Sequence, residues 1–219
     1  MTPWVDHLMI APVVLPLVAA ATMLFIDERR HGLKAAINIV TVLVLTGVAL
    51  ALLFSADAAV DAGGSARVGV YRLGDWPAPF GIVLVVDRLS AVLLVLTSAL
   101  ALATAVYSLA QWHRAGSHFH SLFQLLLMGI NGAFLTGDLF NLFVFFELLL
   151  AASYGLVLHG SGTARVRAGL HYIAINLVAS LLFLIGVSLI YGVTGTLNMA
   201  DLSVRMAQVP AEARMLLEA

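Results

Sequence analysis

The chain has 219 residues, 62% of them hydrophobic and 11% charged, with a formal net charge of −1 and no cysteine. Soluble domains run near ~45–50% apolar and ~25% charged, so a soluble enzyme is excluded, and the lack of a basic patch excludes a nucleic-acid partner. Without cysteine there are no thiolate metal sites, iron–sulfur clusters or disulfides, and an all-α integral membrane protein remains.

A spanning helix takes about 20 mostly apolar residues, and six windows qualify: about 7–26, 33–54, 89–110, 119–136, 138–158 and 168–191. The first carries Pro12 and Pro16 and no basic residue upstream, so it reads as a retained helix rather than a signal peptide. Between the second and third windows, residues 68–86 alternate strand-like runs with a turn-rich stretch. They predict a β-hairpin. The alternative is an irregular loop. Arg29, Arg30, Lys34, Arg114, Arg165 and Arg167 crowd the connections 27–34, 111–120 and 159–167, whereas the alternate segments carry only five cations in more than twice the length. The denser set is expected in the cytoplasm. The N-terminus and the hairpin are then extracytoplasmic. Lys34, close to a span end, is expected to snorkel outward.

Only Glu147 is charged deep in a span, nine residues after Asp138. A charge there costs roughly 2.5–3.5 kcal/mol on insertion scales, so such a residue is a functional candidate. The plainer reading is a protonated glutamate in an interhelical hydrogen bond. An antiparallel sixth span would bring Asn176 and Ser180 to its depth, and Tyr172, Asn176 and Ser180 share one helix face. Gln124 and Asn131 share a face of the fourth span, Thr97, Thr104 and Ser108 line the third, and His171 sits near the start of the sixth. Each stripe alone is packing glue; together around a carboxylate they outline a proton path. Desolvation keeps a midplane carboxyl neutral unless a cation stands near. None of the six spans carries Lys or Arg at that depth.

Other constellations carry less. His113, His118 and His120 have weak zinc spacing and read as interfacial residues against lipid headgroups. Trp4, Trp76 and Trp112 fall where belt residues do, and Gly63–Gly64 lacks a phosphate-loop lysine. No metal site and no cofactor are expected. Asp138 is placed to cap the fifth span.

The run Leu135-Thr-Gly-Asp-Leu-Phe-Asn-Leu-Phe-Val-Phe-Phe-Glu-Leu-Leu-Leu150 resembles the fifth-helix signature of the antiporter-like subunits. That family includes the D subunit of Mrp-type multisubunit sodium/proton antiporters and the proton-pumping membrane subunits of respiratory complex I. Residues 74–87, with Trp76-Pro-Ala-Pro-Phe-Gly81, and residues 191–200 resemble Mrp D-subunit segments. The resemblance implies that Glu147 is the proton-carrying glutamate, with Asp138 and Asn141 matching its neighbours. It implies a fold of about fourteen helices with two inverted repeats, the first opening at 119. In that fold the glutamate works with a lysine on the seventh helix. A truncated or split D-type subunit of a cell (inner) membrane complex is therefore expected. Its partners would be other subunits, the bilayer, protons and monovalent cations, sodium foremost. A proton-pumping subunit of an NADH:quinone oxidoreductase or membrane hydrogenase, and a non-catalytic scaffold, are the alternatives.

Overall fold

A computed structural model describes residues 7–61, 68–76, 81–116, 118–160, 162–210 and 212–213. Trp4, the Gly63–Gly64 pair and residues 77–80 of the turn-rich stretch lie outside the described residues. The main helices are α1 (Ala11–Phe25), α2 (His31–Asp61), α3 (Arg88–Ser108), α4 (Phe119–Leu135), α5 (Leu139–Val157) and α6 (Thr163–Thr194), followed by the short α7 (Met199–Arg205). Strands β1 (Gly69–Arg72) and β2 (Val83–Val86) pair antiparallel between α2 and α3.

Among the described residues, four helices are long and apolar enough to cross a membrane: α2 over residues 31–56, α3, α5 and α6. α1 and α4 are apolar but shorter, at 15 and 17 residues. Each is stopped by its sequence. α1 meets an extended Ile26 before Asp27-Glu-Arg-Arg30. α4 ends where residues 136–138 are drawn into strand-like pairing.

The helix starts are chemically marked. Asp87 and Ser90 form a reciprocal capping box on α3. The Asp138 carboxylate accepts the Asn141 N–H at 3.0 Å at the head of α5. The Asn198 side chain accepts two N–H groups of α7. α6 closes on Gly195 at φ 69°, a left-handed position natural to glycine.

Pro16 inside α1 has no N–H, so the Pro12 carbonyl loses its helical partner. Asn131 of α4 supplies the missing donor, bonding Pro12 O at 3.0 Å. That bond fixes α4 against α1.

The apolar core lies beneath the hairpin. Leu84 and Val86 of β2 pack with Val13, Leu52, Leu94, Leu135 and Phe145. A second cluster, including Val42, Leu45, Ala105, Phe123 and Leu127, joins α2, α3 and α4. α4 also lies close on α5. An added Cβ at Gly129 would stand 2.8 Å from Leu149 N and 2.9 Å from Leu149 Cα, so only glycine permits this approach. α6, by contrast, packs chiefly on α5 and is otherwise largely exposed.

Candidate functional site

The head of α5 is pinned from two sides. Gly137 N–H donates to Val83 O of β2 at 2.8 Å, and Met199 N–H donates to Gly137 O at 2.9 Å. Leu139 N–H donates to Leu197 O at 2.9 Å. The hairpin, the start of α5 and the segment after α6 are thus laced by backbone bonds. These bonds set the position of α5, and Glu147 is the ninth of its 19 residues.

Glu147 lines a cavity of about 250 Å³ between α5 and α6. Phe143, Phe146 and Phe183 form much of its wall, with Phe143 and Phe183 stacked at 6.2 Å between centroids. Asn176 and Ser180 are its polar members besides Glu147. The Ser180 hydroxyl donates to Glu147 Oε1. Among the described residues no cation pairs with Glu147. The carboxylate therefore sits in a largely apolar pocket with one hydroxyl donor at hand.

The seam continues along the two helices. Tyr172 OH lies 3.2 Å from Ser153 Oγ, and the Tyr172 ring meets Tyr154 edge-on at 5.7 Å. Asn176 Nδ2 donates to Tyr172 O at 2.9 Å within α6. Tyr172, Asn176 and Ser180 are brought to the Glu147 side. Ser153 and Tyr154 are not among the residues that sequence reasoning selects, although they sit six and seven residues after Glu147.

The remaining residues of the expected path lie elsewhere. Gln124 Nε2 donates to Asn38 Oδ1 of α2 at 2.7 Å, and Asn131 to Pro12 O of α1. Both face the α1–α2 side, whereas Gly129 and Gly132 face α5, so they do not join Glu147. His171 Nδ1 bonds the Arg167 carbonyl one turn back on its own helix, at 2.9 Å, and does not line the cavity. On α3 the buried polar residues are Ser98 and Ser108 besides the capping Ser90; Thr104 is exposed and bonds back to Leu100 O.

Two further expectations are corrected. Lys34 does not snorkel outward: it is buried against α4, 4% exposed. His113 and His120 are buried too, not set against headgroups; only His118 is exposed, and it pairs with Glu28 at 2.7 Å. The signal was present in α2, where His31, Lys34 and Asn38 recur at helical spacing on one face. Trp76 and Trp112 are exposed, with the Arg165 guanidinium 5.0 Å above the Trp112 ring.

Residues 136–218 match the family model described as NADH:quinone oxidoreductase/Mrp antiporter, TM. The chain is 62% identical over 218 residues to the D subunit of a probable K(+)/H(+) antiporter of Rhizobium meliloti, covering all of this chain and 40% of that one. Among solved structures, a chain of the Mrp complex from Dietzia sp. DQ12-45-1b superposes with a TM-score of 0.70 at 34% identity, covering 94% of this chain and 40% of that one. A chain of the membrane-bound sulfane sulfur reductase, an archaeal respiratory membrane complex, superposes at 0.86 with 26% identity, covering 96% and 42%. The chain spans about 40% of the length of the curated relatives it matches. It is a multi-pass membrane protein, similar along its whole length to the D subunits of monovalent cation/proton antiporters.

Proposed function

We propose that the chain is the Glu147-bearing part of a D-type subunit of a multisubunit cation/proton antiporter. Glu147 is the proton-carrying carboxylate. The observation that carries this reading is the Glu147–Ser180 contact inside the α5–α6 cavity. A midspan acid with a hydroxyl donor and no paired cation can change its charge state when a cationic partner approaches and leaves. In this reading that partner, a lysine, comes from a further helix or another subunit. Proton transfer then follows Glu147, Ser180, Asn176 and Tyr172, with Ser153 alongside. Gln124, Asn131 and His171 stand outside this path. Asp138 acts as a helix cap.

All six main helices, α1 to α6, cross the cell membrane in this account, with α1 and α4 as short spans. The N-terminus and the hairpin lie outside, as the distribution of Lys and Arg supports. The helices from 119 onward open the first inverted repeat. The protein works as a transporter subunit rather than as an enzyme, together with other subunits of its complex. The ion exchanged for protons is monovalent: the Rhizobium meliloti relative is named for potassium, and potassium against sodium is a direct comparison in the same assay.

The experiment uses the full-length subunit in its assembled complex, in everted vesicles. Glu147→Gln is expected to lower antiport at least about tenfold, a barrier change of roughly 1.4 kcal/mol or more, with assembly intact. Glu147→Asp is expected to retain part of it. Undiminished transport by Glu147→Gln would overturn the assignment.

A further inference from the structure

Away from Glu147, a cavity of about 520 Å³ opens where the end of α1, the start of α4 and the end of α5 meet, a size that suits a small ligand. Leu24, Leu122, Leu125 and Leu158 form its apolar wall. Leu24 and Leu158 are exposed, so this wall runs out onto the surface of the bundle. α4 has 17 residues, about 26 Å of helix at 1.5 Å per residue, against a hydrocarbon core of ~30 Å. The bilayer thins around a span this short and brings headgroups closer to its ends. Ser121, which also lines the cavity, is the third residue of α4.

Two polar groups of the cavity are unclaimed by the protein. Ser121 is 1% exposed, and its hydroxyl is bonded to nothing. His159 is buried, and its Nε2 lies 2.9 Å from Trp112 O. A carbonyl only accepts, so Nε2 carries the ring proton and Nδ1 of the neutral ring presents a lone pair. Among the described residues nothing bonds that Nδ1. A Cβ added at Gly116 would stand 2.9 Å from it, so glycine keeps the space before it open. The N-cap residue His118 gives α4 no side-chain cap, and the first N–H groups of an α-helix have no intrahelical acceptor. The surroundings are cationic. The Arg165 guanidinium abuts Gly160 of the cavity wall, with Nη1 2.9 Å from where a Cβ would stand. The three connections at this end hold six Lys and Arg against Asp27 and Glu28, and His118 occupies Glu28 at 2.7 Å.

We propose that this cavity is a binding site for an anionic phospholipid with a hydroxylated headgroup, of the phosphatidylglycerol type. The phosphate accepts the Ser121 O–H and faces the N-terminus of α4, where free N–H groups and the helix dipole favour an anion. A headgroup hydroxyl donates to His159 Nδ1. The leucines take the first carbons of an acyl chain, which leaves along the exposed side of Leu24 and Leu158. The surplus of arginine at this end draws anionic lipid toward the surface. Each unclaimed atom thereby gains a partner of the right sense: the donor Ser121 an acceptor, and the acceptor His159 Nδ1 a donor. A bound lipid would tie α1, α4 and α5 together at the end remote from the hairpin. This assignment needs no assumption about Glu147.

The test uses the assembled complex with the full-length subunit, in phosphatidylcholine nanodiscs doped with a photoactivatable phosphatidylglycerol. Mass spectrometry is expected to map the label to the start of α4 and the end of α5. Unlabelled phosphatidylglycerol is expected to compete at least about tenfold better than added phosphatidylcholine, and inorganic phosphate not at all, because it lacks the chain that the leucines hold. Ser121→Ala is expected to weaken that competition about tenfold, the loss of one hydrogen bond to a charged group. Gly116→Leu, which fills the space before His159 Nδ1, is expected to reduce labelling as well. Should it not assemble, Ser121→Ala, which removes a single buried oxygen, carries the same test. Glu147→Gln is expected to label like wild type although antiport is lost, which separates this site from the transport reading. Labelling that phosphatidylcholine competes equally and Ser121→Ala leaves unchanged would overturn the proposal. So would displacement by inorganic phosphate, or a neighbouring subunit crosslinked there in place of lipid.

Discussion

The two buried polar regions are electrostatic opposites. Between α5 and α6, one carboxylate sits among phenylalanines with a hydroxyl donor and, among the described residues, no paired cation. Between α2 and α4, buried Lys34 sits near His120 and the Asn38–Gln124 amide pair, with no carboxylate paired to it among the described residues. α4 is the wall between them, its amide side chains turned to α1 and α2 and its glycines to α5. The contrast lies in which sign of charge each region can carry, an acid on the α5 side of α4 and a base on the α2 side. An ion-pair partner would hold Glu147 charged; in the proposed mechanism that partner comes and goes with a moving helix.

The contrast can be broken most severely at Glu147 itself, where Gln removes the carboxylate of the α5–α6 cavity. Next comes the wall. Gly129→Val would push a branched side chain into the Leu149 backbone, which cannot yield as a flexible side chain would. Overpacking of this kind costs about 1–3 kcal/mol. The expected outcome is a lower melting temperature of the complex together with reduced antiport, since α5 carries Glu147. A melting temperature equal to wild type would mean that α4 and α5 do not touch here.

Ser180→Ala sharpens the comparison rather than breaking it. It deletes the hydroxyl that donates to Glu147 and leaves the apolar wall intact. Losing one such bond costs about 1 kcal/mol, so antiport is expected to fall several-fold without being abolished. Ser180→Thr, which keeps the hydroxyl, is expected to recover most of it. Equal rates in the two variants would deny the hydroxyl its role.

Most of the fold was legible because hydrophobic run length and caps are local. The helices at α3, α4 and α5 begin and end within two residues of the expected 89–110, 119–136 and 138–158. The hairpin at 68–86 is also where alternation and turn residues put it. α6 begins earlier than the expected 168, since Thr163–Arg167 continues the helix despite its two arginines. Part of the site was legible for the same reason: counting residues back from the α5–α6 turn sets Ser180 level with Glu147. Which face of α4 meets which neighbour was not, because Gln124 and Asn131 are equally periodic toward either side. Glycine spacing, at Gly129 and Gly132, decided it by permitting close approach to α5. The burial of Lys34 was hidden because its position near a span end suits both a snorkelling and an inward side chain.

The smallest effect lies outside both regions. A hydrogen bond from the Thr196 hydroxyl, then Arg205 at 3.0 Å, holds the Asp201 carboxyl below the usual carboxylate range. Its contribution is present above the unfolded value and fades as pH falls through the folded one. Hydrogen exchange of the α7 amides is expected to quicken on acidification, and to lose that dependence in Asp201→Asn. An unchanged acid response in the variant would place the titrating group elsewhere.

The central claim is that Glu147 gains and loses a proton in place. Infrared difference spectroscopy of the assembled complex, stepped through pH, reads this directly from the carboxylic C=O stretch. The account predicts a titrating band that vanishes in Glu147→Gln and shifts in Ser180→Ala. A wild-type band that survives unaltered in Glu147→Gln would contradict it.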